Sequence, residues 1–186
     1  MNFDASILKP GDVLLYFTHD FIDDVIAEKT GKPVGHIEVY AGDGKSMASR
    51  NGIGVNVYPL RLDGLICVRR PDGELDFATG MDWFNTVANG QGYDFEGLLT
   101  FACITTHGHE GQMFCSEFAL NFFRACGFQP FNSDQPSYET SPRDFWICGR
   151  LETIWSSNQE LYGTPRGFYA CPIPQALAML CNLSHS

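Results

Sequence analysis

The chain has 186 residues, 44% of them hydrophobic and 18% charged, which allows one packed domain with or without a tail and excludes an intrinsically disordered chain. Acidic residues outnumber basic ones by 22 to 12, a formal charge of −10, and such a surface repels phosphate backbones, so nucleic acid is not an expected partner. No apolar stretch is long enough to span a bilayer, so no integral membrane segment is expected.

The opening residues, MNFDASILKPGD, show no basic segment followed by an apolar run, so a cytoplasmic location without a secretory signal is expected. Residues 11–18 read as a buried strand after a Pro-Gly turn, and 20–30 as a helix with Phe21, Ile22, Val25 and Ile26 on one face. Residues 34–41 alternate as a strand, with Val34, His36, Glu38 and Tyr40 on one face and Gly35, Ile37, Val39 and Ala41 on the other. Turn residues then separate strands at 45–50, 55–60 and 65–70, an antiparallel meander. Beyond residue 71 the period becomes helical, with helices expected over 75–88, interrupted by Gly80, and over 95–105. A helix beginning at about Cys115 carries Phe118, Ala119, Phe122 and Cys126 on one stripe and stops at Gly127. Ser141, Pro142 and Asp144 occupy the N-cap, first and third positions of a further helix, a capping box with Asp in place of Glu. Residues past 150 are mixed, with a short helix expected over 175–181. The 15 Phe residues fit either a dense core or an apolar groove.

Seven cysteines in a chain read as cytoplasmic are expected to be reduced, and an odd number cannot all pair within one chain. No two form a CxxC pair, so no structural zinc is expected. Cys67, Cys103, Cys126, Cys148, Cys171 and Cys181 read as small buried hydrophobes. Cys115 differs, because it follows a Gly-containing polar loop and opens a helix. At such a position N–H groups and the helix dipole favour a thiolate and can stabilise an oxyanion; the alternative is a cysteine that simply packs at a helix end. His36 lies within a strand, and Glu38, two residues on, projects from the same face about 6.5–7 Å away. That spacing suits a carboxylate that fixes an imidazole tautomer, or equally two solvated residues on a half-exposed face. His107 and His109, beside Glu110, form a rival pair, but glycine-flanked loop histidines are ordinarily solvated, and neither a metal nor any other cofactor is expected. The Gly-rich pieces lack the context of a nucleotide-binding loop.

In order along the chain, GDVLLY, GHIEVYAG, YDF, FCSEF and SPRDF resemble the circularly permuted, YiiX/YaeF-like branch of the NlpC-type papain-like cysteine hydrolases, in which the histidine strand precedes the cysteine helix. The resemblance covers about residues 10–150. It implies an α+β, circularly permuted papain-like fold, an antiparallel meander packed against helices. The catalytic domain would span 1–150, with 151–186 a C-terminal extension packed on it. Carried over residue by residue, the nucleophile falls on Cys115 and the base on His36. Tyr93 and Asp94 match the element before the helix behind the site and are expected at the substrate groove, and Asp12 is expected to be structural. The third catalytic group departs from the family pattern. The strand after the histidine strand offers only Ser46, Ser49 or Asn51, so the orienting group is expected to be Glu38, with Ser49 the alternative. The implied activity is hydrolysis of an amide bond, as a cysteine peptidase or amidase acting on peptides such as those of the cell wall, through an acyl-enzyme. The rivals are a lipid acyltransferase or lipase using the same pair, and a binding module that has kept the fold without turnover. The implied partner is a peptide or acyl small molecule.

Overall fold

The computed structural model describes residues 3–17, 34–94 and 111–157. The helices expected over 20–30, 95–105 and 175–181, and the loop histidines His107 and His109, lie outside these residues.

β1 (Val13–Tyr16) is buried along its whole length and feeds two cores. Val13 and Leu15 join Ile37, Val39 and Met47 under the cysteine-bearing helix, while Leu14 and Tyr16 join Tyr40, Leu65 and Val68 on the opposite face. A strand buried on both sides reads as a continuous apolar run, which is what VLLY is. β2 (His36–Gly42), β3 (Lys45–Arg50) and β4 (Gly54–Pro59) follow as antiparallel hairpins. Between β2 and β3 the chain turns through positive φ at Gly42, Asp43 and Gly44, the region that glycine enters without a Cβ clash. Val34, placed on the His36 face by alternation, instead precedes the strand and packs with Ile37 and Val39.

β5 (Leu65–Pro71) departs from the expected meander. It pairs with β1 rather than β4, and β6 (Leu151–Ser156) pairs with β5, so the six-stranded antiparallel sheet has the order β4-β3-β2-β1-β5-β6. The physical reason is the demand of β1, which needs hydrogen-bonded neighbours on both sides, whereas β4 exposes Asn56 and Val57 and serves as an edge. The connection over residues 60–64 is tightened by a turn in which the Leu65 N–H donates to the Leu62 carbonyl. It carries the chain past β3, β2 and β1 and leaves Arg61 above Tyr16.

α1 (Phe77–Trp83) is capped by Asp76, whose carboxylate accepts from the Thr79 N–H at 3.0 Å, and runs on into a π-helical turn at Phe84–Ala88. Gly80 faces the Cys126 sulfur and the Phe122 ring, so the residue that weakens the helix on propensity is the one that lets it pack closely. α2 (Cys115–Ala125) buries Phe118, Ala119, Phe122 and Phe123, with Phe118 and Phe122 against Phe77, Trp83 and Phe84, and ends before Gly127. α3 (Pro142–Ile147) has the expected capping box: the Asp144 carboxylate accepts from the Ser141 N–H at 2.7 Å. Arg69 on β5 donates to the carbonyls of Phe145, Trp146, Cys148 and Leu151 and so ties the end of α3 and the start of β6 to the sheet. No helix among the described residues is long and apolar enough to cross a membrane.

Candidate active site

Ser49 fixes where α2 begins. In the register that sets Val39 opposite Met47, Ser49 falls across from Ile37, next to His36. Its hydroxyl donates to the Met113 carbonyl, pinning the chain two residues before Cys115 at the His36 end of β2. Met113 also donates its N–H to the Gly92 carbonyl at 3.1 Å and accepts from the Asp94 N–H at 3.4 Å, within a short parallel pairing of Gly92 with Gln112. Cys115 is therefore delivered by a braced strand-like segment. Its thiol is 1% exposed, in the first turn of α2, where no side chain caps the helix.

His36 is the first residue of β2, and its ring meets the Cys115 thiol at that end of the sheet. The other side of the ring is held by Glu38, with Nε2 3.2 Å from Oε1, which leaves Nδ1 as the nitrogen available to sulfur. Burial of the imidazole, 13% exposed, by itself pushes its pKa down. The neighbouring Cys115 sulfur and then Glu38 more than offset that and raise it to about 9.

Glu38 is fully buried, which alone would raise its pKa. It is instead held down at about 2 by the His36 hydrogen bond and charge, by Ser46 and by Arg50. Ser46 donates to Oε2, Arg50 donates Nε to Oε1 at 3.0 Å and Nη2 to Oε2 at 3.2 Å, and Arg61 stands 3.4 Å from Oε1. Arg50 lies 4.0 Å over the Tyr58 ring and Arg61 lies 4.4 Å over the Tyr16 ring. The carboxylate thus has a fixed orientation and stays ionised, as a group that orients an imidazole must.

Of the residues singled out in the sequence, Cys115, His36 and Glu38 come together. Ser49 does not join them, because its hydroxyl is directed at a main-chain carbonyl on the α2 side of the sheet. Asn51 lies in the exposed turn after β3, and Ser46 touches Glu38 rather than the imidazole. Asp94, expected at the groove, is fully buried beside Met113 and supports the segment that leads to Cys115; Tyr93 precedes it on the same segment. Asp12 is structural: Arg70 grips it at 2.8 and 2.7 Å and joins β1 to β5. Burial pushes the Cys67 thiol up to about 11 and the Cys126 thiol to about 12, and raises Cys148 as well, so these behave as buried hydrophobes. Arg50 and Arg61 were missed. Arg50 was findable, since it falls opposite His36 in the β2–β3 register, but Arg61 sits in a loop that no local period describes.

No family model and no curated protein matches the sequence. Its fold is similar to a crystal structure described as metalloprotein YiiX from Escherichia coli O157:H7, DUF1105, with a TM-score of 0.59 over 80% of this chain and 97% of that one. The two sequences are 16% identical, so the likeness is one of fold. The chain is a mixed α+β protein with a six-stranded antiparallel sheet, and its fold is YiiX-like.

Proposed function

We propose that the chain is a cysteine hydrolase of the permuted NlpC-type papain-like kind, a peptidase or amidase with Cys115 as nucleophile, His36 as base and Glu38 as the orienting acid. The observation that carries this is a helix-opening cysteine close enough to an imidazole to raise its pKa, with the imidazole's far nitrogen held by a buried, ionised carboxylate. Nucleophile, base and orienter in contact meet the geometric requirement of a triad whatever their order along the chain. In the reaction sulfur adds to the amide carbonyl carbon with the thiol proton already held on His36, whose raised pKa keeps the imidazole charged. The tetrahedral oxyanion forms at the start of α2, where main-chain N–H groups and the helix dipole favour negative charge. Collapse breaks the C–N bond, and His36 gives its proton to the leaving amine. Water, deprotonated by His36, then cleaves the thioester and releases the carboxylic acid and the free thiol.

The YiiX neighbour is called a metalloprotein. The described residues of this site do not fit a cation. The Glu38 oxygens that would ligate one are taken by Ser46, His36 and Arg50, and the two guanidiniums beside them repel a metal.

The test is labelling by a small thiol-reactive acylating probe from about pH 5 to about pH 9, on wild type, Cys115→Ala and His36→Ala. Labelling should concentrate on Cys115 and slow by about 10²–10⁴-fold without His36, the range a positioned base contributes. Slow labelling spread over several cysteines, indifferent to His36, would leave a binding module of the same fold as the better account.

A further inference from the structure

An imidazolium facing a carboxylate away from water is not secure as an ion pair. Burial penalises both charges, and the proton can pass from the ring to the acid, leaving a neutral imidazole and a neutral carboxyl. Glu38 is fully buried and bonds His36 through Oε1, so the site is exposed to this collapse. A second cation that cannot give up a proton prevents it, and arginine is such a cation.

Two arginines stand against Glu38, and they differ in geometry. Arg50, on β3, donates Nε to Oε1 at 3.0 Å and Nη2 to Oε2 at 3.2 Å, a fork that fixes the plane of the carboxylate as well as its charge. Arg61, from the connection after β4, reaches Oε1 with one nitrogen at 3.4 Å. The fork is itself seated. Its guanidinium lies 4.0 Å over the Tyr58 ring on β4, and the Tyr58 hydroxyl donates to the carbonyl of Gly54, the residue across from Arg50 in the β3–β4 register. β4 is held in turn at Val55, whose N–H donates to the Gln91 carbonyl at 2.8 Å and whose carbonyl accepts from the Gly90 N–H at 2.9 Å. Among the described residues, His36, Ser46, Arg50 and Arg61 face the carboxylate, with Tyr58 and Tyr16 beneath the two guanidiniums. We infer that Arg50, seated on Tyr58, is a positioning residue of the site: it holds Glu38 as an anion with Oε1 turned to His36, and so keeps the proton on the imidazole and off the acid. The inference rests on the Cys115–His36–Glu38 reading above and gives the β3–β4 hairpin a share in the rate.

The test is alkylation of Cys115 by iodoacetamide, which forms a thioether with loss of iodide, followed against pH by peptide mapping with urea midpoints alongside. Arg50→Met keeps an unbranched side chain over Tyr58 and loses both fork and charge. Its maximal rate should fall by about tenfold or more. Its acid limit should move up, because Arg50 is among the groups that hold the Glu38 pKa down. Arg50→Lys keeps the charge without the fork and should return the limit but only part of the rate. Arg61→Met should change both less than Arg50→Met does. Tyr58→Leu removes the seat and should move rate and limit the same way to a smaller extent, which decides the matter even where Arg50→Met does not fold. A purely structural Arg50 would lower the urea midpoint and leave the rate and limit of the folded protein as in wild type. That result in Arg50→Met, or in Tyr58→Leu where Arg50→Met does not fold, overturns the assignment, as does a loss in Arg61→Met as large as in Arg50→Met. If iodoacetamide fails to favour Cys115 in wild type, or labels His36→Ala as fast, the Cys–His reading falls instead, so the two failures are told apart.

Discussion

His36 lies between two groups that both favour its charged form. The Cys115 sulfur contributes most, and the Glu38 carboxylate adds a hydrogen bond to Nε2 and its charge; together they outweigh burial and bring the pKa to about 9. Removing only the second of these, with Glu38→Gln, therefore lowers the imidazole pKa. The alkaline limit of Cys115 acylation should move below about pH 9, and the maximal rate should fall by some part of the roughly 10²–10⁴-fold that a positioned base supplies. Ser49→Ala should leave that limit where it is, since the Ser49 hydroxyl bonds the Met113 carbonyl and not the ring. A pH profile of labelling for the two variants checks both, and a limit that moves with Ser49 but not with Glu38 would reverse the assignment of the orienting group. His36 and Glu38 were legible as a pair because the period of a strand is local: two residues apart means one face. The choice between Ser46 and Ser49 was not, because three residues apart means opposite faces, and which face meets the cysteine helix depends on tertiary packing.

Helix α1 shows packing overriding propensity. Alanine is a better helix former than glycine by about 1 kcal/mol in a helix interior, so Gly80→Ala would stabilise an isolated α1. In the folded chain a Cβ at residue 80 collides with the Cys126 sulfur and comes within 3.2 Å of the Phe122 ring. Phe122 is fully buried and touches Phe77, Phe118 and Phe123, so it has little room to yield. Overpacking of this kind costs about 1–3 kcal/mol, which exceeds the propensity gain. Gly80→Ala should therefore lower stability by up to about 2 kcal/mol, seen as a lower urea midpoint with an unchanged slope; a raised midpoint would mean that α1 does not lie this close to α2. The helices over Cys115–Ala125 and Pro142–Ile147 were readable because stripe, stop and capping box are local signals. Gly80 could be read only as a weakness, because its partner is a cysteine 46 positions further along the chain.

At the scale of the whole molecule, the return of β5 to the far side of β1 decides what surrounds the site. Hairpin logic joins each strand to the next and so expects a meander, but it does not weigh the need of a doubly buried β1 for a second neighbour, and the crossing loop that results is what sets Arg61 above Tyr16 and Glu38. The polar cluster so assembled ties global stability to pH, with a definite sign on each side. Glu38 has a folded pKa of about 2, below its ordinary 4.5, so its contribution is present above about pH 4.5 and is lost as pH falls through about 2. His36 has a folded pKa of about 9, above its ordinary 6.5, so its contribution is complete below about pH 6.5 and is lost as pH rises through about 9. Both contributions are in place between about pH 4.5 and 6.5, and stability should fall away on either side of that window. Urea midpoints measured against pH check this by difference. The gap between wild type and His36→Ala should narrow as pH rises from about 6.5 to 9, and the gap between wild type and Glu38→Gln should narrow as pH falls from about 4.5 to 2. A gap that stays constant across either range would mean that the group titrates alike folded and unfolded, and the charged cluster around β2 would then have to be redrawn.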